Sequence, residues 1–311
     1  MTLTHFDEAP SREYELGHIR GRWTLLGEAA GSVGVGVRRI ELPAGGWSTP
    51  AHEHALEEEI FYVLAGRGLS WQGGSTAEIG AGDCIVYLPA RGAHTLHALE
   101  PLDVLAFGPR HWPEVLGFPR LGRSLVGTRM VRSDPYAVEG KPAQFVYESQ
   151  LGPPELPPQP GPRPATIVNL EQVERREVNR PRISRTRRNL GVAVGSIRVG
   201  LQHVEVTPGK ESAPLHCHSL EEEIFVMLAG DGTLVLAEEK LPVRPGHVVS
   251  RPPATRVPHV FVAGEAGLTY LAFGTREPAD ICYYPRSNKI NFGGVGVIAR
   301  LERLDYWDGE D

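Results

Sequence analysis

Cysteine is nearly absent from this chain. Cys84, Cys217 and Cys282, the only three among 311 residues, are too few and too scattered for a disulfide framework and suit a reducing compartment. Apolar runs approaching the roughly 18–20 residues of a membrane span are missing, and the start MTLTHFDEAPSREYELG lacks the basic-then-apolar order of a signal peptide. A cytoplasmic protein is expected. An excess of charge is lacking too: 32 Lys+Arg against 38 Asp+Glu leave a formal −6, which excludes a chain-wide basic field for nucleic acid or anionic lipid. Nucleophile elbow, phosphate-cradling glycine loop and dinucleotide fingerprint are all missing from the sequence, so any chemistry must rest on other groups.

What is abundant is the turn-former. Glycine (36) and proline (27) make up about a fifth of the chain, below the range that signals disorder, while a 41% hydrophobic content can still fill a core. The length suits two domains, and the chain contains itself twice. His52-Glu53-His54-Ala55-Leu56-Glu57-Glu58-Glu59-Ile60-Phe61 recurs as His216-Cys217-His218-Ser219-Leu220-Glu221-Glu222-Glu223-Ile224-Phe225. The same offset pairs Gly27 with Gly191, Pro50 with Pro214 and Gly66 with Gly230. Each copy reads as short strands: Val33 to Leu42, Glu59 to Ala65, Cys84 to Leu88 and Leu102 to Phe107, then Ile197 to Val206, Glu223 to Ala229, His247 to Arg251 and Leu268 to Phe273. Without long amphipathic helical patterns between them, such strands indicate an all-β sandwich or barrel in each half. The proline-rich run from Gly152 to Pro162 is expected to be an extended linker, dividing the chain into 1–150, a linker at 151–165, and 166–311. The basic stretch Arg180 to Arg188 carries no aromatic stacking residues and reads as a solvated or inter-domain face rather than a nucleic-acid site.

In a strand, residues i and i+2 share a face, so His52 and His54 present two imidazoles to one point, as do His216 and His218. An antiparallel return brings Glu59, or Glu223 in the second copy, beside them. His94 and His259 occupy equivalent later positions and are the expected fourth ligands, with His97 a competitor of His94. Three imidazoles and one carboxylate form a borderline donor set suited to Fe, Mn, Co, Ni, Cu or Zn, with coordination positions left open. Glu57, Glu58, Glu221 and Glu222 read as solvated neighbours of the ligands, Glu58 and Glu222 facing away from the ion by alternation, with a role as acceptors for ligand N–H groups as the alternative, and Cys217 should be a core residue. Alternation places Phe61 and Val63, and Phe225 and Met227, on the inward face, with Leu96 and Phe261 nearby, giving two apolar candidate substrate pockets. Arg38 or Arg39 and the matched Gln202 or His203 are polar candidates for substrate contact.

The run Gly46…His52-x-His54-x4-Glu59-x6-Gly66, followed by Gly82, Pro89 and His94, resembles the paired signatures of the cupin superfamily, and the second copy repeats it from His216 to Gly230 and on to His259. The chain is also similar to bacterial bicupins that carry an HSLEEEIF-type first motif and end near a segment like Leu304 to Gly309. The resemblance implies two tandem double-stranded β-helix (jelly-roll-like) barrels, each with a divalent transition-metal ion in its mouth, Fe or Mn favoured. It further implies a metal-dependent enzyme acting on a small oxygen-bearing molecule, by dioxygenase or oxalate decarboxylase-like chemistry. A metal-dependent isomerase or hydrolase, or a non-catalytic small-molecule or sugar-binding bicupin, are the alternatives. A small-molecule substrate, no nucleic-acid or membrane partner, and a monomer or homodimer are expected.

Overall fold

The computed structural model describes residues 3–111, 113–131 and 137–310. Two antiparallel barrels follow one another, and their main sheets share one logic. In the first, Glu59–Ala65 lies between Asp83–Tyr87 and Leu102–Pro109, and the latter pairs with Val35–Leu42. In the second, Glu223–Leu236 lies between His247–Arg251 and His259–Thr275, which pairs with Val199–Val206. The strands of 223–229 and 268–273 expected from sequence are thus segments of longer ones, because bulges let each strand bend around the barrel without ending.

Both faces of the central strands are buried, which explains why Ile60 to Leu64 is apolar without alternation. Phe61 and Val63 point into the first barrel, whereas Ile60 and Tyr62 join an inter-barrel core with Val35, Leu201, Ile224 and Val226. Phe107 and Phe273 stack across that core with ring centres 5.2 Å apart.

Strands are also exchanged. Leu3–His5 pairs with His247–Arg251 of the second barrel, and the equivalent Ile167–Asn169 pairs with Asp83–Tyr87 of the first. The division at 150 and 166 therefore does not follow the hydrogen bonding at these two points. The proline-rich run is strapped to the first barrel: Trp71 Nε1 donates to Glu155 O, Gly161 N to Thr76 O, and Arg163 makes a two-pronged bond to the buried Asp83.

The strands predicted from Val33 and Ile197 begin two residues later, at Val35 and Val199. The missing residues spend their N–H groups elsewhere. Glu58 accepts from Ile197 N (3.1 Å), Arg198 N (3.1 Å) and Ser196 Oγ (2.7 Å), while Glu222 accepts from Val33 N (2.9 Å) and Gly34 N (2.5 Å). Each carboxylate, 2% exposed, thereby caps a turn of the opposite barrel. Glu58 and Glu222 do face away from the clusters, but they are buried and not solvated as expected, because what they hold is the neighbouring barrel rather than water or a ligand imidazole.

Gly66 directly follows the strand that carries Glu59, and Gly230 sits at a bulge inside the longer strand that carries Glu223. At φ +85° and +75° they sit in left-handed turns, and a Cβ would lie 1.8 Å from Pro101 O and 2.1 Å from Gly267 O. Only glycine lets the return strand pass so close.

Candidate metal centres

In the first barrel four side chains from four places in the chain converge. His52 and His94 face each other across an isolated bridge, each accepting the other's backbone N–H. His54 lies on the short strand Glu53–His54, which pairs with Val115–Phe118 beyond the barrel strands. Glu59 opens its strand. One ligating atom from each of the four lies within 4.8 Å of every other. Glu59 Oε2 is 2.8 Å from His94 Nε2, 3.3 Å from His54 Nε2 and 3.8 Å from His52 Nε2.

The rings are aimed from behind. His52 Nδ1 lies 2.8 Å from Pro50 O, which makes Nδ1 the donor and leaves the Nε2 lone pair to face the cluster. His94 is stacked on Tyr87, with ring centres 3.9 Å apart. His54 Nδ1 sits 3.6 Å from both Glu57 and Glu114. Burial pushes His52 down to about 3, so its imidazole is neutral at pH 7. Burial would raise Glu59, but His54 and His94 hold its carboxyl well below the usual range. Burial would likewise lower His54, and the surrounding glutamates, Glu59 first, raise it.

The second barrel repeats the scheme with one change. Ligating atoms of His216, Glu223 and His259 lie within 4.8 Å of one another, and Glu223 Oε2 is 3.2 Å from His259 Nε2. His216 Nδ1 lies 2.8 Å from Pro214 O. His218 stands outside this trio, with Nε2 at 3.7 Å from Glu223, because Asp280 draws its Nδ1 to 2.7 Å. A complete quartet thus exists in the first barrel and a trio plus an offset imidazole in the second. Burial alone would lower His218, yet Asp280 and Glu223 push it up to about 9. In metal-free protein the His218 imidazolium–Asp280 pair therefore stabilises the fold. Because the folded pKa of His218 is raised, that stabilisation is fully present below about 6.5 and fades as pH rises through about 9. Asp280→Asn should lower the thermal midpoint of chelator-treated protein clearly at pH 6 and only slightly at pH 10; equal losses at both would show that the charge on the pair is immaterial.

The donor sets fit a cation. Among the described residues His54 Nε2 and Glu223 Oε2 are buried with no well-aligned hydrogen-bond partner; each has a ligand neighbour, Glu59 at 3.3 Å and His259 at 3.2 Å, whose atom is aimed at the same centre, as suits a shared cation.

Of the candidate pocket residues, Phe61 and Leu96 line a cavity of about 390 Å³ beside the first cluster, and Phe225 and Phe261 one of about 250 Å³ beside the second. Val63 and Met227 do not line them. They share the inward face but pack within the apolar filling of the barrels: alternation sets the face and not the depth. Arg38 and Gln202 reach the cavities, whereas Arg39 turns to Asp103 (2.8 Å) and His203 to Glu205 (3.6 Å). His97 stacks on Trp47 at 4.6 Å, away from the cluster that holds His94. Cys217 is half-buried rather than in the core. Sequence reasoning missed Glu114 and Asp280, which follow the barrel strands, and Arg185 and Arg187, which lay inside the basic run read as solvated; their i, i+2 spacing on a strand was the available signal.

Two β-barrels, each with imidazoles and a carboxylate gathered in its mouth, define a tandem-barrel protein with candidate metal centres. The Cupin domain model matches residues 38–108 and 202–272, one in each barrel. The chain is 31% identical over 156 residues to Auxin-binding protein 1 of Arabidopsis thaliana, an alignment spanning 46% of this chain and 72% of that protein. Among solved structures it is similar to oxalate decarboxylase from Bacillus subtilis, with 16% identity, a TM-score of 0.58, and coverage of 88% of this chain and 75% of that one. A sugar phosphate isomerase of the cupin superfamily from Silicibacter pomeroyi matches at 26% identity and a TM-score of 0.40, over 45% of this chain and 96% of that one. The chain belongs to the cupin family and is a bicupin. Among the described residues no helix is long and apolar enough to cross a membrane.

Proposed function

We propose that this bicupin is a metal-dependent enzyme acting on a small oxygen-bearing molecule, by dioxygenase or oxalate decarboxylase-like chemistry. The observation that carries the reading is the first-barrel quartet, His52, His54, Glu59 and His94, at the end of a largely apolar cavity. These residues would hold an Fe or Mn ion, and His216, His218, Glu223 and His259 a second; a structure to which the fold is similar has Mn(II) centres in Bacillus subtilis oxalate decarboxylase. Bound there, such an ion supplies Lewis-acid and redox chemistry.

The chain's own part is to position and exclude. Pro50 O fixes the His52 tautomer, Tyr87 holds the His94 ring flat, and Phe61 and Leu96 keep the inner cavity dry. The Glu57 and Glu114 carboxylates, 3.6 Å from His54 Nδ1, favour the proton on that nitrogen by charge and so leave Nε2 to the cluster.

The test is elemental analysis of protein purified without added metal, followed by anaerobic Fe(II) or Mn(II) loading and a screen of small carboxylic acids and phenols for O₂ uptake or CO₂ release. Substrate-dependent turnover that chelation abolishes is the expected result. Stoichiometric metal without turnover on any substrate would favour the non-catalytic binding bicupin instead.

A further inference from the structure

The two cavities differ in charge. In the second barrel the strand Ser184–Asn189 sends Arg185 and Arg187 into the cavity wall. Their neighbours Arg182 and Arg188 have acidic partners, Glu211 at 3.6 Å and Glu205 at 2.5 Å. Arg185 and Arg187 have no carboxylate partner among the described residues. Among the described residues Arg185 donates to Ser212 O (2.6 Å) while its Nε is buried with no hydrogen-bond partner, and Arg187 reaches Gln202 Oε1 at 3.4 Å. Burial and the nearby Arg185 lower the Arg187 pKa, as expected of like charges held together without a counter-ion. Such a pair is costly to an empty protein and persists where a ligand compensates it.

The equivalent places in the first barrel carry no arginine. Arg187 lies opposite Val204 and Arg185 opposite Val206; the matching register places Trp23 opposite Ile40 and puts Gly21 beside Leu42. Two guanidiniums do line the first cavity, Arg38, which lies 5.6 Å over the Trp23 ring, and Arg110, but Glu28, Glu57, Glu59 and Glu114 line it with them, whereas Glu223 is the carboxylate that lines the second.

We propose that Arg185 and Arg187 form an anion subsite that makes the second barrel, and not the first, selective for a small dicarboxylate, one carboxylate held by the guanidiniums and the other turned toward the His216, Glu223 and His259 end. This rests on the second cavity being a ligand pocket, as proposed above, and it assigns the charge of what enters. A volume of about 250 Å³ suits a molecule of a few carbons. Two guanidiniums offer the forked donors that match carboxylate oxygens.

The test uses calorimetric titration of the full chain, as purified and after chelation, with oxalate, malonate and succinate, and with their dimethyl esters as uncharged controls. At least one diacid should bind once per chain and its ester should not. R187Q and R185Q should each weaken that binding by roughly ten- to a hundredfold, R187K should recover part of the loss, and R38Q should leave it unchanged. The unliganded R187Q protein should melt no lower than wild type, since it loses an uncompensated charge. Failure of all three diacids to bind, affinity retained in R187Q and R185Q, or an equal loss in R38Q would overturn the subsite. A lower melting point in R187Q with affinity intact would mark Arg187 as structural and overturn it as well. Protein that is purified without metal, takes up none when loaded and still binds diacid through Arg187 would defeat the metal-enzyme reading and leave this one standing; metal in both barrels with no dependence on Arg187 would do the reverse.

Discussion

Glu59→Gln should empty the first barrel of metal while the second keeps its own. The amide has nearly the shape of the carboxylate but lacks the charge that sits 2.8 Å from His94 and 3.3 Å from His54. Losing an anionic ligand should weaken binding by more than the 10–100-fold typical of outer-shell changes, so roughly a thousandfold is a fair expectation. Elemental analysis of protein purified from metal-limited cultures should show the total fall by one site's share, and Glu223→Gln should remove the other share. Unchanged metal content in Glu59→Gln would remove the basis of the proposed function. The metal-free proteins should also differ in acid. Glu59 is held ionised in the fold by His54 and His94, so its stabilisation is present above the ordinary carboxylate pKa and is lost as pH falls toward the lower folded value. Chelated wild type should therefore lose thermal stability more steeply than Glu59→Gln as pH falls below about 4, because the variant carries no such proton linkage, and the two should run parallel above about pH 5.

These ligands were legible in the sequence because local rules place them. His52 and His54 share a face by alternation, Glu59 opens the following strand, and the duplication doubles the evidence. Other features required contacts that no local rule supplies. Asp280 reaches His218 from a segment that follows the last barrel strand, so the offset of His218 could not be anticipated from the repeat. Val63 and Met227 have the right facing and the wrong depth. The exchange of Leu3–His5 and Ile167–Asn169 between barrels is invisible locally because both segments are three residues long and match each other; which sheet each joins depends on how the barrels dock. Arg185 and Arg187 were hidden by composition: in a run this basic, solvated and cavity-facing arginines look alike until the strand register separates Arg188, paired with Glu205, from its neighbours.

That docking leads to the second large effect. Glu58 and Glu222 each satisfy two backbone N–H groups of the other barrel, and both carboxylates are buried. Glu58→Ala would take the buried carboxylate from the N–H groups of Ile197 and Arg198 and leave the Ser196 hydroxyl with Val199 O as its remaining acceptor, beside a gap where the side chain was packed. At about 1–3 kcal/mol for an orphaned buried polar group, partly relieved by relaxation, a loss of about 2–4 kcal/mol follows for the single variant. Glu222→Ala should cost a similar amount, since Val33 and Gly34 lose the same kind of partner. The variant Glu58→Gln, which keeps one acceptor oxygen, should lose less than Glu58→Ala. Because each glutamate adjoins Glu59 or Glu223, the barrels share their docking and their ligand strands at one junction. Denaturant unfolding of wild type should be one cooperative transition, and the double alanine variant should show two, as the barrels separate energetically while the apolar contact around Phe107 and Phe273 still joins them. A double variant that unfolds in one step at the wild-type midpoint would mean that apolar packing alone couples the barrels and that the exchanged carboxylates contribute nothing measurable.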